Sequence, residues 1–222
     1  MFLYETHLHC SPVSACGADK PEDLVRAYKA RGYTGFILTD HFFNGNSGCP
    51  REWKWESKVA FFLSGYERAK KEGDKCGFDV FLGWEYAIHG SEFLTYGLDA
   101  DFLLGNPHVD RYDITSYGTL VRENGGYIAQ AHPYREAFWV ANPFPVAPHL
   151  IDGVEVFNAS QPPESNKKAF DFARLHNLPM QAGSDAHSVR LNFASGIKMK
   201  ERAKDIHDII AAIKKRKVEL IC

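Results

Sequence analysis

Thr34-Gly35-Phe36-Ile37-Leu38-Thr39-Asp40-His41 is a short apolar run that ends in a polar triplet. An apolar stretch of this length reads as a strand buried on both faces, the kind found in parallel α/β sheets. The segment before it agrees. Lys20-Pro21-Glu22-Asp23 opens a helix with proline in its first turn and acids at its positive end. Leu24, Val25 and Tyr28 give that helix an apolar stripe, and Gly32 stops it. Working outward, strands are expected at Phe2–Tyr4, Phe78–Trp84, Tyr127–Ala131, Gly153–Phe157, Leu178–Gly183 and Val218–Ile221, and helices at Ser165–His176 and around Ile206–Ile213. The alternation predicts about seven strands closed into a barrel-like α/β fold. With 222 residues, 45% of them hydrophobic, one core and a single domain over residues 1–222 are expected.

What ends these strands is more informative than the strands themselves. His7 and His9 alternate with one residue between, so in an extended chain they point the same way, about 7 Å apart. His41 ends the next strand, Glu85 follows Trp84, His132 follows Ala131, Glu155 lies in the next strand, and Asp185 and His187 follow Gly183. In a parallel barrel these ends converge on one face. Imidazole and carboxylate donors without a paired cysteine motif suit zinc, manganese or iron, and there are more donors than one tetrahedral ion uses. More than one divalent ion is therefore expected, with Glu85 as the bridging carboxylate. The other histidines, His89, His108, His149, His176 and His207, are read as surface residues.

The ordered set H-L-H at 7–9, T-D-H at 39–41, G-W-E at 83–85, A-H-P at 131–133, G-V-E-V-F-N at 153–158 and G-S-D-A-H at 183–187 resembles the PHP (polymerase and histidinol phosphatase) metal-dependent phosphoesterases over nearly the whole chain. The resemblance implies a distorted (β/α)7 TIM-like barrel with a trinuclear site that hydrolyses phosphate esters. It implies that His7, His9, Glu85 and Asp185 hold one ion, Glu85 and His132 a second, and His41 with His187 a third. Two positions depart from the pattern. Cys16 stands where such proteins often carry Asp or His, and is either a ligand or a small buried thiol. Glu92 is the nearest match to a further family histidine and is a candidate ligand.

Catalysis is expected to run through Glu85, Asp185 and His187 by way of metal-activated water, since no Ser-His-Asp set and no phosphate-cradling glycine loop is present. Arg135 and Arg190, each three residues beyond a candidate ligand, are candidates for the phosphate oxygens, and Asn158 for a ligand or water. Glu155 and Asp40 are read as partners that orient the ligands. The irregular segments 42–52, 86–112 and 138–149 are expected to shape the pocket, and Trp53, Trp55, Phe61, Phe62, Phe138 and Trp139 either line it or pack the helices.

A net charge of −2, from 26 basic and 28 acidic residues, gives no general pull toward nucleic acid or an anionic membrane. Nucleic acid is expected only as a nucleotide or short oligonucleotide substrate. Five cysteines without a C-x-x-C pair and the absence of a leader-like N-terminus point to a reduced, cytoplasmic protein, and no stretch is apolar enough to cross a bilayer. The expected activity is phosphoesterase action on a small phosphorylated metabolite or nucleotide. An amidohydrolase-type C–N hydrolase and a noncatalytic metal-binding module are the alternatives.

Overall fold

A computed structural model describes every residue except 142 and 191–194. Its strands are β1 (Phe2–Glu5), β2 (Gly35–Leu38), β3 (Asp79–Ile88), β4 (Ser91–Tyr96), β5 (Tyr127–Gln130), β6 (Gly153–Asn158), β7 (Met180–Gly183), β8 (Gly196–Met199) and β9 (Glu219–Ile221). Its α-helices are α1 (Pro21–Ala30), α2 (Trp55–Cys76), α3 (Ala100–Gly105), α4 (Ile114–Glu123), α5 (Pro163–Leu175) and α6 (Ile206–Lys214). The sheet order is β7-β6-β5-β4-β3-β2-β1-β8-β9. A parallel bridge between Leu8 and Ala186 brings the chain beyond β1 beside the chain beyond β7, so the first seven strands form a nearly closed barrel-like ring.

This is a mixed α/β fold with the barrel-like closure expected, in which the alternation of strands and helices is interrupted. β4 is antiparallel to both β3 and β5, because the chain reverses at His89 and Gly90, both with positive φ. Segment 86–112, expected to be irregular, is instead the end of β3, β4, α3 and a 3₁₀ turn at Val109–Arg111. β8 was not anticipated. It pairs antiparallel with β1, Phe2 opposite Met199, so the chain leaves β8 at the end of the barrel remote from His7. There Ile209, Ile210 and Ile213 of α6 join Tyr4, Ile37, Tyr96, Tyr127 and Ile197 in a buried cluster. Burial of each such aliphatic side chain is worth about 1.5–3 kcal/mol, which fixes α6 beneath the barrel.

Local chemistry explains the helix ends. The side chains of Asp99, Asp113 and Asp205 accept N–H donors in the first turns of α3, α4 and α6, and Gly77 ends α2 in the left-handed conformation. No helix among the described residues is long and apolar enough to cross a membrane, and all five cysteines are free.

Candidate metal centre

The carboxyl ends of β1, β2, β5 and β7, together with β3 and β4, bring His7, His9, His41, Glu85, Glu92, His132, Asp185 and His187 into one cluster. Four overlapping groups have ligand atoms within 4.8 Å of one another: His7, Glu85 and His132; His7, His9 and Asp185; His41, Glu85 and Glu92; and His9, His41 and His187. The ring nitrogens Nε2 of His7 and His9 are 3.2 Å apart. Glu85 stands in the middle. Its Oε1 lies 3.3 Å from His7 Nε2 and 3.1 Å from His132 Nε2, while its Oε2 lies 2.8 Å from His41 Nδ1 and 3.6 Å from His9 Nε2.

The histidines are aimed by partners on their other nitrogen. His7 Nδ1 lies 2.9 Å from Glu155 Oε1, His9 Nδ1 lies 3.2 Å from Ser14 Oγ, and His187 Nδ1 lies 2.9 Å from the Asp185 carbonyl. Each pairing leaves Nε2 facing the cluster, the arrangement by which proteins orient ligating imidazoles. Ser14 in turn donates to Asp40 at 2.7 Å, and Asp40 also accepts the Cys10 N–H. The other Glu155 oxygen accepts from the His132 N–H and from Asn158 Nδ2. Glu5 Oε1 accepts the backbone N–H groups of Thr6, His7 and Ser184, tying the end of β1 to the end of β7. Burial pushes the Glu5 carboxyl up to about 7.

Two backbone features make the convergence possible. His132 and Asp185 both adopt positive φ, uncommon for non-glycine residues and costing about 1–3 kcal/mol where strained. These turns send their side chains inward as the strands end. Gly183 lets the strands close: a Cβ there would lie 2.5 Å from His7 Cβ and 2.6 Å from Glu155 Oε1.

Burial alone disfavours charge here, but the cluster compensates. Burial opposes the His7 imidazolium, yet Glu155, Asp185 and Glu85 carry its pKa well above the usual histidine range. Burial likewise opposes the charged forms of His41 and His132, whose values are raised by Glu85 and by Glu92. His9 goes the other way, lowered by burial and by His41. Burial would raise Glu85 and Asp185, but the surrounding histidines hold both well below the usual carboxylate range. His41 Nδ1 and Glu85 Oε2 are 2.8 Å apart and Asp185 Oδ1 is 3.2 Å from His9 Nε2, yet among the described residues none of these three buried atoms makes a hydrogen bond of good alignment. Donors crowded together in a buried site without well-aligned hydrogen bonds have the chemistry of a divalent-cation site.

The other expected residues fall in different places. Glu92 joins the cluster, with oxygens 3.6 Å from His132 Nε2 and 3.9 Å from His41 Nδ1. Arg135 also reaches it, with Nη1 3.1 Å from Glu92 and 3.8 Å from Asp185. Cys16 is exposed at the rim rather than buried. Partial burial raises its thiol pKa, but contacts with His187 and His41 bring it down to about 6. Asn158, expected to meet substrate, is fully buried; its amide is used by Glu155 and its carbonyl by Ser160. Arg190 is exposed, and its backbone N–H meets the Ser188 hydroxyl. His9 belongs to both ends of the cluster, a sharing not anticipated. His89, His108, His149, His176 and His207 are exposed, as expected. Glu5, Ser14 and Ser160 were missed, although the Glu5-His7-His9 alternation places Glu5 on the same side as the two histidines.

Comparison with known proteins bears on the class. Residues 163–218 match a family model described as PHP-associated. No curated protein matches the chain. A two-domain Bacteroides vulgatus protein containing a predicted PHP-like metal-dependent phosphoesterase superposes with a TM-score of 0.72 at 17% identity, over 99% of this chain and 64% of its own. An amidohydrolase from Chromobacterium violaceum gives 0.61 at 14% identity, over 98% and 97% of the two chains. A lesion-specific endonuclease from Pyrococcus furiosus gives 0.62 at 15% identity, over 99% of this chain and 57% of its own. At such identities each likeness is one of fold. The segment match and the shared fold both make PHP-like proteins what this chain is similar to.

Proposed function

We propose that residues 1–222 form a single metal-dependent phosphoesterase domain acting on a small phosphorylated metabolite or nucleotide. The observation that carries this reading is the convergence of His41 Nδ1, Glu85 Oε2 and Asp185 Oδ1, none with a well-aligned hydrogen bond, inside a buried histidine–carboxylate cluster, with the Arg135 guanidinium at its edge. His7, Glu85, His132 and Asp185 are the residues for the inner positions, His41 and His187 for the outer, His9 serves both, and Glu92 lies between His132 and His41. Zinc, manganese or iron fits these donors, and two or three ions so held would supply Lewis acidity and a water activated near neutral pH.

The chain's own groups do the rest. Glu85 joins the inner and outer positions, one oxygen facing each. Asp185 and His187 lie on one short turn after β7, Asp185 among the inner donors and His187 among the outer. Arg135 offers a planar fork for the non-bridging phosphate oxygens, and Glu92 keeps it oriented. Asn158 and Glu155 act one step back, by fixing His7 and the His132 backbone.

The test is elemental analysis of the purified protein beside a phosphate-release screen of the metal-loaded sample. Two or three ions per chain, with turnover abolished by His9→Ala and circular dichroism unchanged, is the expected result. The amidohydrolase-like neighbour favours C–N hydrolysis as a second reading. Bound metal with amide cleavage and no phosphate release would establish that reading instead.

A further inference from the structure

The segment after His132 carries two large rings that the donor cluster does not use. From Arg135 to Val140 the chain makes a turn, closed by the Val140 N–H donating to the Ala137 carbonyl at 2.9 Å, with Phe138 and Trp139 at its tip. Phe138 is 97% exposed and Trp139 54%. The rings pack edge to face, with centroids 4.6 Å apart. Neither belongs to the buried core, so core packing does not account for them.

The tip is held in place relative to the cluster. Gly90, in the turn between β3 and β4, has φ +86°, and a Cβ there would lie 2.8 Å from both Trp139 O and Val140 Cα. Backbone therefore meets backbone where only glycine fits. Arg135 joins the rings to the site: its guanidinium carbon lies 5.6 Å from the Trp139 ring centroid, while its Nη1 is 3.1 Å from Glu92 and 3.8 Å from Asp185. One side chain thus spans from the carboxylates to an exposed aromatic face.

We propose that Phe138 and Trp139 form a stacking platform for a planar heteroaromatic ring in the leaving group of the phosphate ester, with Arg135 set between platform and reaction centre. The inference rests on the phosphoesterase reading and narrows its substrate class. An exposed π face beside a phosphate-binding cation is the pairing by which proteins hold ring-bearing phosphates without reading the identity of the ring. Two rings on a single turn are too small a patch for a stable protein–protein interface.

The experiment compares kcat/KM for adenosine monophosphate and glycerol phosphate, each with the manganese-loaded protein, in wild type, Trp139→Phe, Trp139→Leu and the Phe138→Ala/Trp139→Ala double variant. Stacking on this scale predicts that the ratio of the two values falls about tenfold in the double variant and in Trp139→Leu, and is retained in Trp139→Phe. A ratio unchanged in the double variant overturns the platform, as does equal loss in Phe and Leu variants. If neither ester is hydrolysed, the phosphoesterase reading has failed separately. Calorimetric titration with adenosine monophosphate then decides: binding weakened about tenfold by Trp139→Leu but not by Trp139→Phe sustains the platform, and any other result removes it.

Discussion

At the inner end of the donor cluster His7, Glu85, His132 and Asp185 are nearly sealed from water, and His7 and His132 are both held by Glu155. At the outer end His187 keeps 26% of its side chain exposed and Cys16 reaches solvent. The inner groups sit on a rigid frame: Glu155 in mid-strand, Glu5 stitching β1 to β7, and Gly183 permitting close approach. Of the outer groups, His187 rests on the turn after β7 and Cys16 on the loop after β1, while His41 follows β2. A frame of the first kind fixes where an ion sits and makes its loss slow, whereas the second leaves room for substrate to approach. One carboxylate, Glu85, belongs to both ends.

The largest expected effect follows from that shared position. Glu85→Gln removes a charge facing four imidazoles and should lower phosphate release by roughly a hundredfold or more, since loss of an orienting partner alone costs about 10–100-fold in metal affinity or activity. Metal counted per chain should fall at both ends together; loss of a single ion would show that Glu85 does not connect them. Glu155→Gln comes next. With the His7 and His132 anchors weakened, affinity at the inner end should fall about 10–100-fold while the outer end is less affected. Competition with a chromogenic chelator measures this, and equal loss at both ends would erase the distinction drawn here.

The inner end was the more legible part in the sequence. Its residues close strands whose apolar runs are plain, and a parallel arrangement brings such ends together whatever lies between them. β4 was harder because the chain reverses at His89-Gly90 and breaks the βα alternation on which the reading depended. Asn158 and Arg190 show a different limit. Nearness to a strand end in sequence does not say where a side chain goes: a register shift between Glu155 and Phe157 leaves Asn158 beside Glu155 and buried, while Arg190 stands exposed after the turn. Ser14 acts through hydroxyl contacts that no spacing in the sequence announces, whereas the alternation of Glu5 with His7 and His9 gives its side but not the backbone N–H groups it holds.

Protons offer a third test. In the metal-free chain the carboxylates raise the pKa values of His7, His41 and His132. Histidines raised in this way stabilise the metal-free fold below their unfolded value near 6.5, and that contribution is lost as pH rises through their higher folded values. Cations compete for the same nitrogens, so metal binding should release protons and strengthen as pH rises. Calorimetry in buffers of different ionisation enthalpy reads the proton count directly. A count near zero at neutral pH would mean that the histidines are already neutral, against the charge balance inferred for the inner end.

The smallest effect tests the outer end. Cys10 and Cys16 are six residues apart yet opposite in setting: burial and the nearby Asp40 carboxylate push the Cys10 thiol far up, whereas Cys16 lies at the rim with its thiol near 6. Thiolate character and access together set alkylation rate. In the metal-free protein at neutral pH, iodoacetamide should therefore label Cys16 before Cys10, Cys49, Cys76 and Cys222, as read by peptide mass. Metal loading should slow labelling of Cys16 alone, because an ion held by His41 and His187 withdraws the imidazoles that contact the thiol or takes the sulfur itself as a ligand. Cys16→Ser separates these cases: a lost ion makes the sulfur a ligand, whereas an unchanged metal count with modest loss of affinity makes it a neighbour. Labelling of Cys16 that is indifferent to metal would place the outer ion away from His41 and His187, and the contrast between the two ends would then rest on the inner frame alone.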